Sequence, residues 1–349
     1  MKKTLSILIS SLLLLSLAAC GSSSTAPASS AASSAAASSS AAPADDGKTY
    51  EINIAHIVNE DNSWHKASVF FKDYVEKESN GRIKVNIYPN NQLGSEMDVI
   101  NSIITDGGAD ITFTGESMQS VIPEMGILGV PYLLRSSEQL QAVANGSVGD
   151  KLEQLMLDTA NMKVLGYFER GPRNVTSNKE IRTPDDMKGF IIRVPASPIT
   201  VAAMEALGAK PTPMAFAEVF TSLQQKTIDG QENPLAMIKT GNFYEVQKYL
   251  SKTEHLRSWV YIVMSNSKLQ SMPEDLQKIV IDGGAEMQKY EHEIFLKDEQ
   301  ELEKFLQDKG MTIISDVDQE AFAAMATEGV EEVLPEKIRP LYDEIKAMG

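Results

Sequence analysis

The sequence predicts an α/β fold arranged as two lobes with a ligand cleft between them. Segments with strand and helix patterns alternate along the chain, and this alternation occurs twice with different loops. The chain has 349 residues, which is more than a single hydrophobic core usually serves. In open α/β sheets, ligands bind beyond the carboxyl ends of the strands, so a cleft is expected at those ends.

The first half of the chain shows the order strand, helix, strand, helix, strand. The segment 82–88 is typical of a half-buried strand, because Ile83, Val85 and Ile87 alternate with polar residues. This order predicts a mostly parallel sheet covered by helices. The predicted strands are 51–57, 82–88 and 109–114, and the predicted helices are 64–78 and 96–105.

The second half repeats the alternation with longer connections. Strands are predicted at 163–168, 190–194 and 259–265, and helices at 198–207 and 215–225. A long helix is predicted over 273–309, with a break near Gly283 and Gly284, since glycine is a weak helix former. The polar run Gly230–Pro234 predicts a turn.

The N-terminal region predicts a secreted, lipid-anchored protein. Lys2 and Lys3 precede an apolar stretch that is too short to span a bilayer, and Cys20 follows small residues. This pattern is similar to the bacterial lipoprotein processing box, which implies a signal peptide over 1–19 and lipidation of Cys20. Residues 20–47 are rich in Ser and Ala and predict a flexible tether. The expected location is extracytoplasmic, at the cell membrane.

Composition excludes several classes of function. Cys20 is the only cysteine, so the folded part is expected to contain no disulfide and no cysteine nucleophile. The net charge of −16 argues against nucleic acid as a partner. The sequence contains no phosphate-binding P-loop, no HExxH motif and no zinc-type Cys/His cluster. No cofactor, metal site or catalytic acid–base pair is therefore predicted.

A charged residue stands in a predicted buried strand. Arg193 lies in the apolar run Phe190–Pro195, near the carboxyl end of the strand. A guanidinium stays protonated in proteins, and burying it without a partner is costly. An anion must therefore meet Arg193, either a carboxylate of the protein or a ligand.

Other side chains suited to holding an anion occur nearby in the sequence. Arg170 and Arg173 follow a predicted strand, Asn233 lies in the predicted turn, and Phe216 begins a predicted helix. Arginine forks bind carboxylates, an amide fixes orientation, and an aromatic ring covers an apolar face.

Several motifs together resemble the extracytoplasmic solute receptors of TRAP transporters, of the DctP type. The resemblance covers Tyr50 to the C-terminus. The motifs that carry it, in chain order, are Gly81–Val85, Tyr88–Pro89, Gln92–Gly94, Thr183–Gly189, Ile192–Pro195, Leu207–Ala209, Pro211–Phe220, Ile228–Pro234 and Phe243–Tyr249.

The resemblance implies a periplasmic-binding-protein-like fold with two lobes joined by long strands and a long helix. We expect lobe I to comprise 48–170 with 259–298, and lobe II 171–258 with 299–349. Members of the family bind organic acids, deliver them to a membrane permease and are not enzymes. The resemblance assigns the main carboxylate contact to Arg193, with help from Arg173 and Asn233, and packing against the ligand body to Phe216.

The motifs look like the sugar-acid branch of the family, and a hexuronate or an aldonate is the expected ligand. Sialic acid, a C4-dicarboxylate or a keto acid are the alternatives, as is a sensory protein that presents such a ligand. His56, Trp64, His65 and Glu116 are candidate contacts to ligand hydroxyls. Trp64 and His65 also fit the plain start of a helix.

Overall fold

The structure, a computed structural model, describes residues 47–348. The predicted signal peptide, Cys20 and the predicted tether apart from Gly47 lie outside the described residues. No helix within residues 47–348 combines the length and the apolar character that a bilayer span requires.

Strands and helices alternate through the described chain as the sequence predicted. The strands are β1 (Tyr50–Ala55), β2 (Ile83–Tyr88), β3 (Ile111–Thr114), β4 (Met162–Glu169), β5 (Arg173–Ser177), β6 (Ile191–Val194), β7 (Lys210–Pro213), β8 (Gly230–Asn233), β9 (Tyr249–Leu256), β10 (Trp259–Ser265) and β11 (Thr312–Ile314). The helices are α1 (Ser63–Glu78), α2 (Glu96–Ile104), α3 (Ser137–Ala144), α4 (Ser147–Ala160), α5 (Pro198–Ala206), α6 (Phe216–Gln224), α7 (Leu235–Thr240), α8 (Asn266–Gln270), α9 (Glu274–Asp308), α10 (Gln319–Val333) and α11 (Arg339–Met348).

The first sheet has the strand order β2-β1-β3-β10-β4. Strands β2, β1 and β3 are parallel, as the alternation in the first half predicted. Strand β10 arrives from much later in the chain and runs antiparallel to both β3 and β4. Ile52 and Ile54 of β1 are fully buried, so one face of this sheet packs against α1 and α9.

The second sheet has the order β11-β9-β5-β8-β6-β7. The prediction of a turn at Gly230–Pro234 is wrong, because Gly230–Asn233 forms strand β8 between β5 and β6. The glycine is required by a close approach of two strands: a Cβ at Gly230 would lie 2.2 Å from the carbonyl oxygen of Thr176. The polar side chains of β8 are buried with partners, which is how such a sequence becomes a central strand.

Helix α9 runs without interruption from Glu274 to Asp308, so the predicted break at Gly283 and Gly284 is wrong. The two glycines instead allow close packing. A Cβ at Gly283 would lie 2.8 Å from Val75 in α1, and one at Gly284 would lie 2.6 Å from the Cβ of Leu165 in β4.

The chain crosses between the sheets three times: at short segments that join β4 to β5 and β9 to β10, and through α8 and α9, which join β10 to β11. The first sheet takes its strands from 50–169 and 259–265, and the second takes its strands from 173–256 and 312–314. The C-terminal helix α11 packs against α4. The lobe boundaries given above stay a prediction.

Candidate functional site

A cavity of about 310 Å³ lies where strands of both sheets end. Segments that follow β3, β4 and β6, together with the end of β8, contribute to its lining. This is the position at which open α/β sheets bind ligands, and the volume suits a small molecule. Its polar lining comprises Ser95, Glu96, Glu116, Ser117, Arg170, Arg173, Arg193 and Asn233.

Arg193 lines this cavity from β6, a strand placed between β7 and β8 in the second sheet. The side chain is only 4% exposed. Its Nε and Nη2 donate to the carbonyl oxygen of Met214, at 3.0 and 2.7 Å. Among residues 47–348, no carboxylate forms an ion pair with Arg193, and its Nη1 has no hydrogen-bond partner.

The electrostatics of Arg193 reflect this isolation. Burial lowers the pKa of the guanidinium to about 10, and the nearby positive charge of Arg173 acts in the same direction, against an opposing effect of Glu232. Arg193 is therefore still charged at neutral pH. Glu116 and Glu96 oppose the lowering as well, but none of these carboxylates forms an ion pair with Arg193, and an anion in the cavity would supply that partner.

Arg173 and Arg170 lie in the same lining, but carboxylates of the protein pair with both. Arg173 forms a two-pronged ion pair with Glu232, with Nη2 2.7 Å from Oε1, and its Nη1 lies 3.4 Å from Oε1 of Glu116. Arg170 donates from Nη1 to Glu116 at 3.2 Å and also reaches its Oε2. These four residues form the paired cluster. It joins the loop after β3 to both arginines of the β4–β5 crossing.

Ion pairing sets the charge of the two acids in the paired cluster. Burial alone would raise the pKa of Glu232, but Arg173 and His255 lower it to about 2. Burial opposes ionisation of Glu116 as well, yet Arg170 and Arg173 hold the pKa of that carboxyl below its usual value. Both acids are therefore ionised at neutral pH, and the paired cluster balances its own charges.

Glu96 is a lining residue that the sequence analysis did not identify. It accepts hydrogen bonds from Thr114 (2.9 Å) and Ser117 (3.2 Å). Burial and the neighbouring charge of Glu116 raise its pKa. In the sequence Glu96 stands in the first turn of a helix, where acids are common for reasons of helix stability, so nothing marked it as a cavity residue.

Asn233 and Phe216 both line the cavity. Asn233 is buried at the end of β8 and donates from Nδ2 to Gln231 at 2.6 Å, which leaves its Oδ1 without a partner in the described chain. Phe216 begins α6 and lies with its ring centroid 5.6 Å from that of Phe243.

The three aromatic candidates from the N-terminal half lie at different depths. Trp64 lines the cavity, whereas His56 and His65 lie outside its lining. His56 is buried behind Phe113, with ring centroids 5.9 Å apart, and its Nε2 lies 3.2 Å from Nδ1 of His65. Burial, together with the adjacent His65, lowers the pKa of His56 to about 3. His56 is therefore neutral at physiological pH.

Within residues 47–348, no three His, Cys, Asp or Glu side chains are grouped so that they could hold a metal ion. The cavity lining combines three arginines and an amide with apolar side chains. The DctP family model, described as bacterial extracellular solute-binding protein, family 7, matches residues 54–337. The chain belongs to this family.

Relatives within the family align with this chain over most of their length. A solute-binding protein of Roseobacter denitrificans, RD1_1052, is 43% identical over 294 residues, covering 84% of this chain and 90% of the relative. The 2,3-diketo-L-gulonate-binding periplasmic protein YiaO of Escherichia coli is 30% identical over 299 residues, covering 85% and 90%. The receptor fold predicted from the sequence motifs is confirmed.

A solved structure shows the same fold with a ligand. The TRAP periplasmic solute-binding protein RD1_1052 from Roseobacter denitrificans, with bound L-galactonate, superimposes with a TM-score of 0.83 at 42% identity. The match covers 85% of this chain and 99% of that chain. The protein described here is therefore a TRAP-type solute receptor of the extracytoplasmic class.

Proposed function

We propose that this receptor captures a sugar acid, an aldonate or a hexuronate, and that Arg193 binds the carboxylate of the ligand. The observation that carries the proposal is the charge state of the cavity. Arg193 is buried, charged and unpaired within the described chain, while Arg170 and Arg173 are balanced by Glu116 and Glu232. The carboxylate of the ligand therefore supplies the ion-pair partner that Arg193 lacks in the described chain.

The remaining lining residues fit the rest of a sugar acid. Asn233 has a free amide oxygen close to the second sheet, and Glu96 keeps acceptor capacity for hydroxyl groups. Phe216 and Trp64 offer apolar faces for the carbon chain. Arg173 and Glu116 stabilise the charged wall that the ligand meets. His56 lies behind Phe113 and contacts His65, and we assign neither histidine a direct contact with the ligand.

We propose that the site binds the acid and does not change it chemically. Lobe closure over the acid excludes water and strengthens the ion pair with Arg193, since charges interact more strongly at lower dielectric. The bound acid is then delivered unchanged to the permease of a TRAP transporter. Relatives named for binding 2,3-diketo-L-gulonate and crystallised with L-galactonate support a sugar acid over a dicarboxylate.

We further propose that the receptor is attached to the membrane by a lipid on Cys20 and by the tether over 20–47. Radiolabelled palmitate supplied to cells should be incorporated into the wild-type protein and not into the Cys20→Ala variant. Equal labelling of both proteins would rule out lipidation at this residue.

Isothermal titration calorimetry on residues 47–349, unfolded and refolded to remove carried-over ligand, tests the proposed specificity. Titrants are L-galactonate, D-galacturonate, sialic acid and succinate. We expect binding of an aldonate or a hexuronate. Binding of succinate alone, or turnover of any bound acid, would contradict the proposal.

The role of Arg193 is tested with a matched pair of variants. Arg193→Ala should weaken binding by about 2–5 kcal/mol, as expected for truncation of a buried charge pair. Arg135→Ala removes an exposed arginine that pairs with Glu320 on the surface and should leave the affinity unchanged. Equal affinities for the two variants would remove the basis of the proposal.

A further inference from the structure

A single asparagine side chain joins two helices that belong to different sheets. Asn62 precedes α1, and its Nδ2 donates a hydrogen bond to Oγ1 of Thr240 at 3.0 Å. Thr240 is the last residue of α7. Helix α1 follows β1 of the first sheet, whereas α7 follows β8 of the second sheet. The hydrogen bond therefore links the two parts of the molecule that together line the ligand cavity.

The other end of the Asn62 amide is bonded within its own helix. Oδ1 accepts a hydrogen bond from the backbone N–H of Trp64 at 2.9 Å, as is usual for an asparagine at a helix N-cap. Trp64 lines the ligand cavity, and so does Met237, three residues before Thr240 in α7. Trp64 and Met237 also belong to the same hydrophobic cluster. Asn62 thus holds one cavity residue directly and the helix of another through Thr240.

The two bonded side chains border a second, smaller cavity of about 30 Å³. Residues before and within α1, α7 and α9 line it, among them Asn59, Asn62, Thr240 and Glu299. Oδ1 of Asn59 and Oε1 of Glu299 are buried without a hydrogen-bond partner in the described chain. A polar cavity of this size can hold water. Water can therefore take the place of the bond between Asn62 and Thr240 when the helices separate, so the bond can break and form again at low cost.

We propose, on the basis of the function proposed above, that Asn62 is a positioning residue that fastens α7 to α1 and thereby sets the rate at which the bound acid leaves. Both sheets contribute to the cavity lining, so release after lobe closure requires their elements to separate. That separation breaks the hydrogen bond between Asn62 and Thr240. The bond therefore slows dissociation, and it has little influence on the first encounter with the acid.

Stopped-flow tryptophan fluorescence on the ligand-free receptor measures both rates, because Trp64 lines the cavity and is one of two tryptophans in the sequence. The probes are L-galactonate and D-galacturonate. Thr240→Val removes the acceptor at nearly constant volume and should raise the dissociation rate by about threefold to tenfold, the effect of one hydrogen bond. The association rate should stay within about twofold of the wild type. Thr240→Ser keeps the hydroxyl and should restore slow dissociation.

Variants of Asn62 connect the effect to the same hydrogen bond. Asn62→Ser keeps a good N-cap for α1 but has no amide nitrogen to offer Thr240, so it should dissociate as fast as Thr240→Val. The double variant Asn62→Ser/Thr240→Val should be no faster than either single variant, because all three lack the same bond. Thr105→Val is the matched control: this exposed threonine follows α2, and its hydroxyl donates to the carbonyl oxygen of Asn101 at 2.8 Å. It should leave both rates unchanged.

Three results would overturn the proposal and leave the sugar-acid function standing. They are a wild-type dissociation rate in Thr240→Val, additive effects of the two substitutions in the double variant, and a change confined to the association rate. Failure of both acids to bind the wild-type receptor would instead count against the function proposed above and against this proposal with it.

Discussion

Arg173 and Arg193 are two arginines of one cavity with almost the same burial, 3% and 4% exposed, and opposite surroundings. Arg173 forms ion pairs with Glu232 and Glu116, whereas the side chain of Arg193 donates hydrogen bonds only to a backbone carbonyl among the described residues. Burial of an arginine therefore does not by itself identify a ligand contact. A buried arginine without a carboxylate partner does identify a ligand contact, because a guanidinium cannot lose its proton and so cannot avoid the cost of burying its charge.

Glu291 extends the comparison to an acid. It is 1% exposed on α9, accepts a hydrogen bond from Ser63 at 2.8 Å, and has an Oε2 with no partner in the described chain. Burial raises the pKa of Glu291 to about 8, and the charges of Glu169 and Asp298 act in the same direction. A buried acid without a cationic partner can become neutral by taking up a proton. Arg193 stays charged, so only an anion can compensate its charge.

The largest loss of stability is expected when the buried ion pair between Arg173 and Glu232 is broken. Glu232→Gln removes the charge that compensates Arg173 inside the second sheet, and loss of one partner of a buried ion pair costs about 3–5 kcal/mol. Urea denaturation should show this loss in the free energy of unfolding. Glu205→Gln, an exposed position on α5, is the control and should change little. A loss below about 1 kcal/mol for Glu232→Gln would show that the paired cluster does not depend on this charge.

The pH dependence of stability sharpens the comparison for Glu291. Its pKa of about 8 in the folded protein lies above the ordinary value of 4.5, so the folded state retains a proton that the unfolded state releases. The stabilisation of the folded protein by protonated Glu291 is fully present below pH 4.5 and is lost as the pH rises toward 8. Glu291→Gln keeps a neutral side chain at every pH, so its free energy of unfolding should exceed that of the wild type at pH 8 by on the order of 4 kcal/mol.

The control for this prediction is Glu293→Gln, two residues further along α9 and exposed. It should reproduce the pH profile of the wild type. A Glu291→Gln variant with the same slope between pH 5 and 8 as the wild type would show that Glu291 is ionised in the folded protein.

The smallest effect on ligand affinity is expected for residues that lie outside the cavity lining, such as His65. His65→Ala should change the Kd for the bound acid by less than about threefold, since surface or second-layer changes are usually small. Trp64→Ala, one residue earlier and inside the lining, should weaken binding by tenfold or more. Calorimetry on both variants checks the ranking, and a greater loss for His65→Ala would place the histidine pair in direct contact with the ligand.

The strongly periodic elements were predictable from the sequence. Helix α1 and strand β2 were predicted to within one residue, because burial of one face imposes a clear period on each. Strand β10 was predicted with its observed bounds because it is a short apolar run, and all seven of its residues are buried. Arg193 was also recognisable, since a charge in a short apolar run is unusual. Its carboxyl-terminal position in β6 is confirmed.

Other features depend on contacts that a single sequence does not display. The polar run of β8 is typical of a turn, but Gln231 is bonded to Thr176 at 2.8 Å and Glu232 to Arg173, so the strand is stable when buried. Gly284 weakens a helix by propensity, yet here it makes room for Leu165. Both features depend on contacts between residues that are far apart in the chain, and a single sequence does not show such contacts.

The most direct test of the central claim is the free energy of unfolding of ligand-free Arg193→Met, measured beside Arg173→Met. Both variants replace a buried arginine of the same cavity by an apolar side chain. The account predicts that Arg193→Met is as stable as the wild type or more stable, because an uncompensated buried charge is removed, while acid binding is lost. It predicts that Arg173→Met is destabilised by several kcal/mol, because the buried Glu232 loses its arginine partner and keeps only His255. Equal destabilisation of the two variants would contradict the claim that the charge of Arg193 is reserved for a ligand.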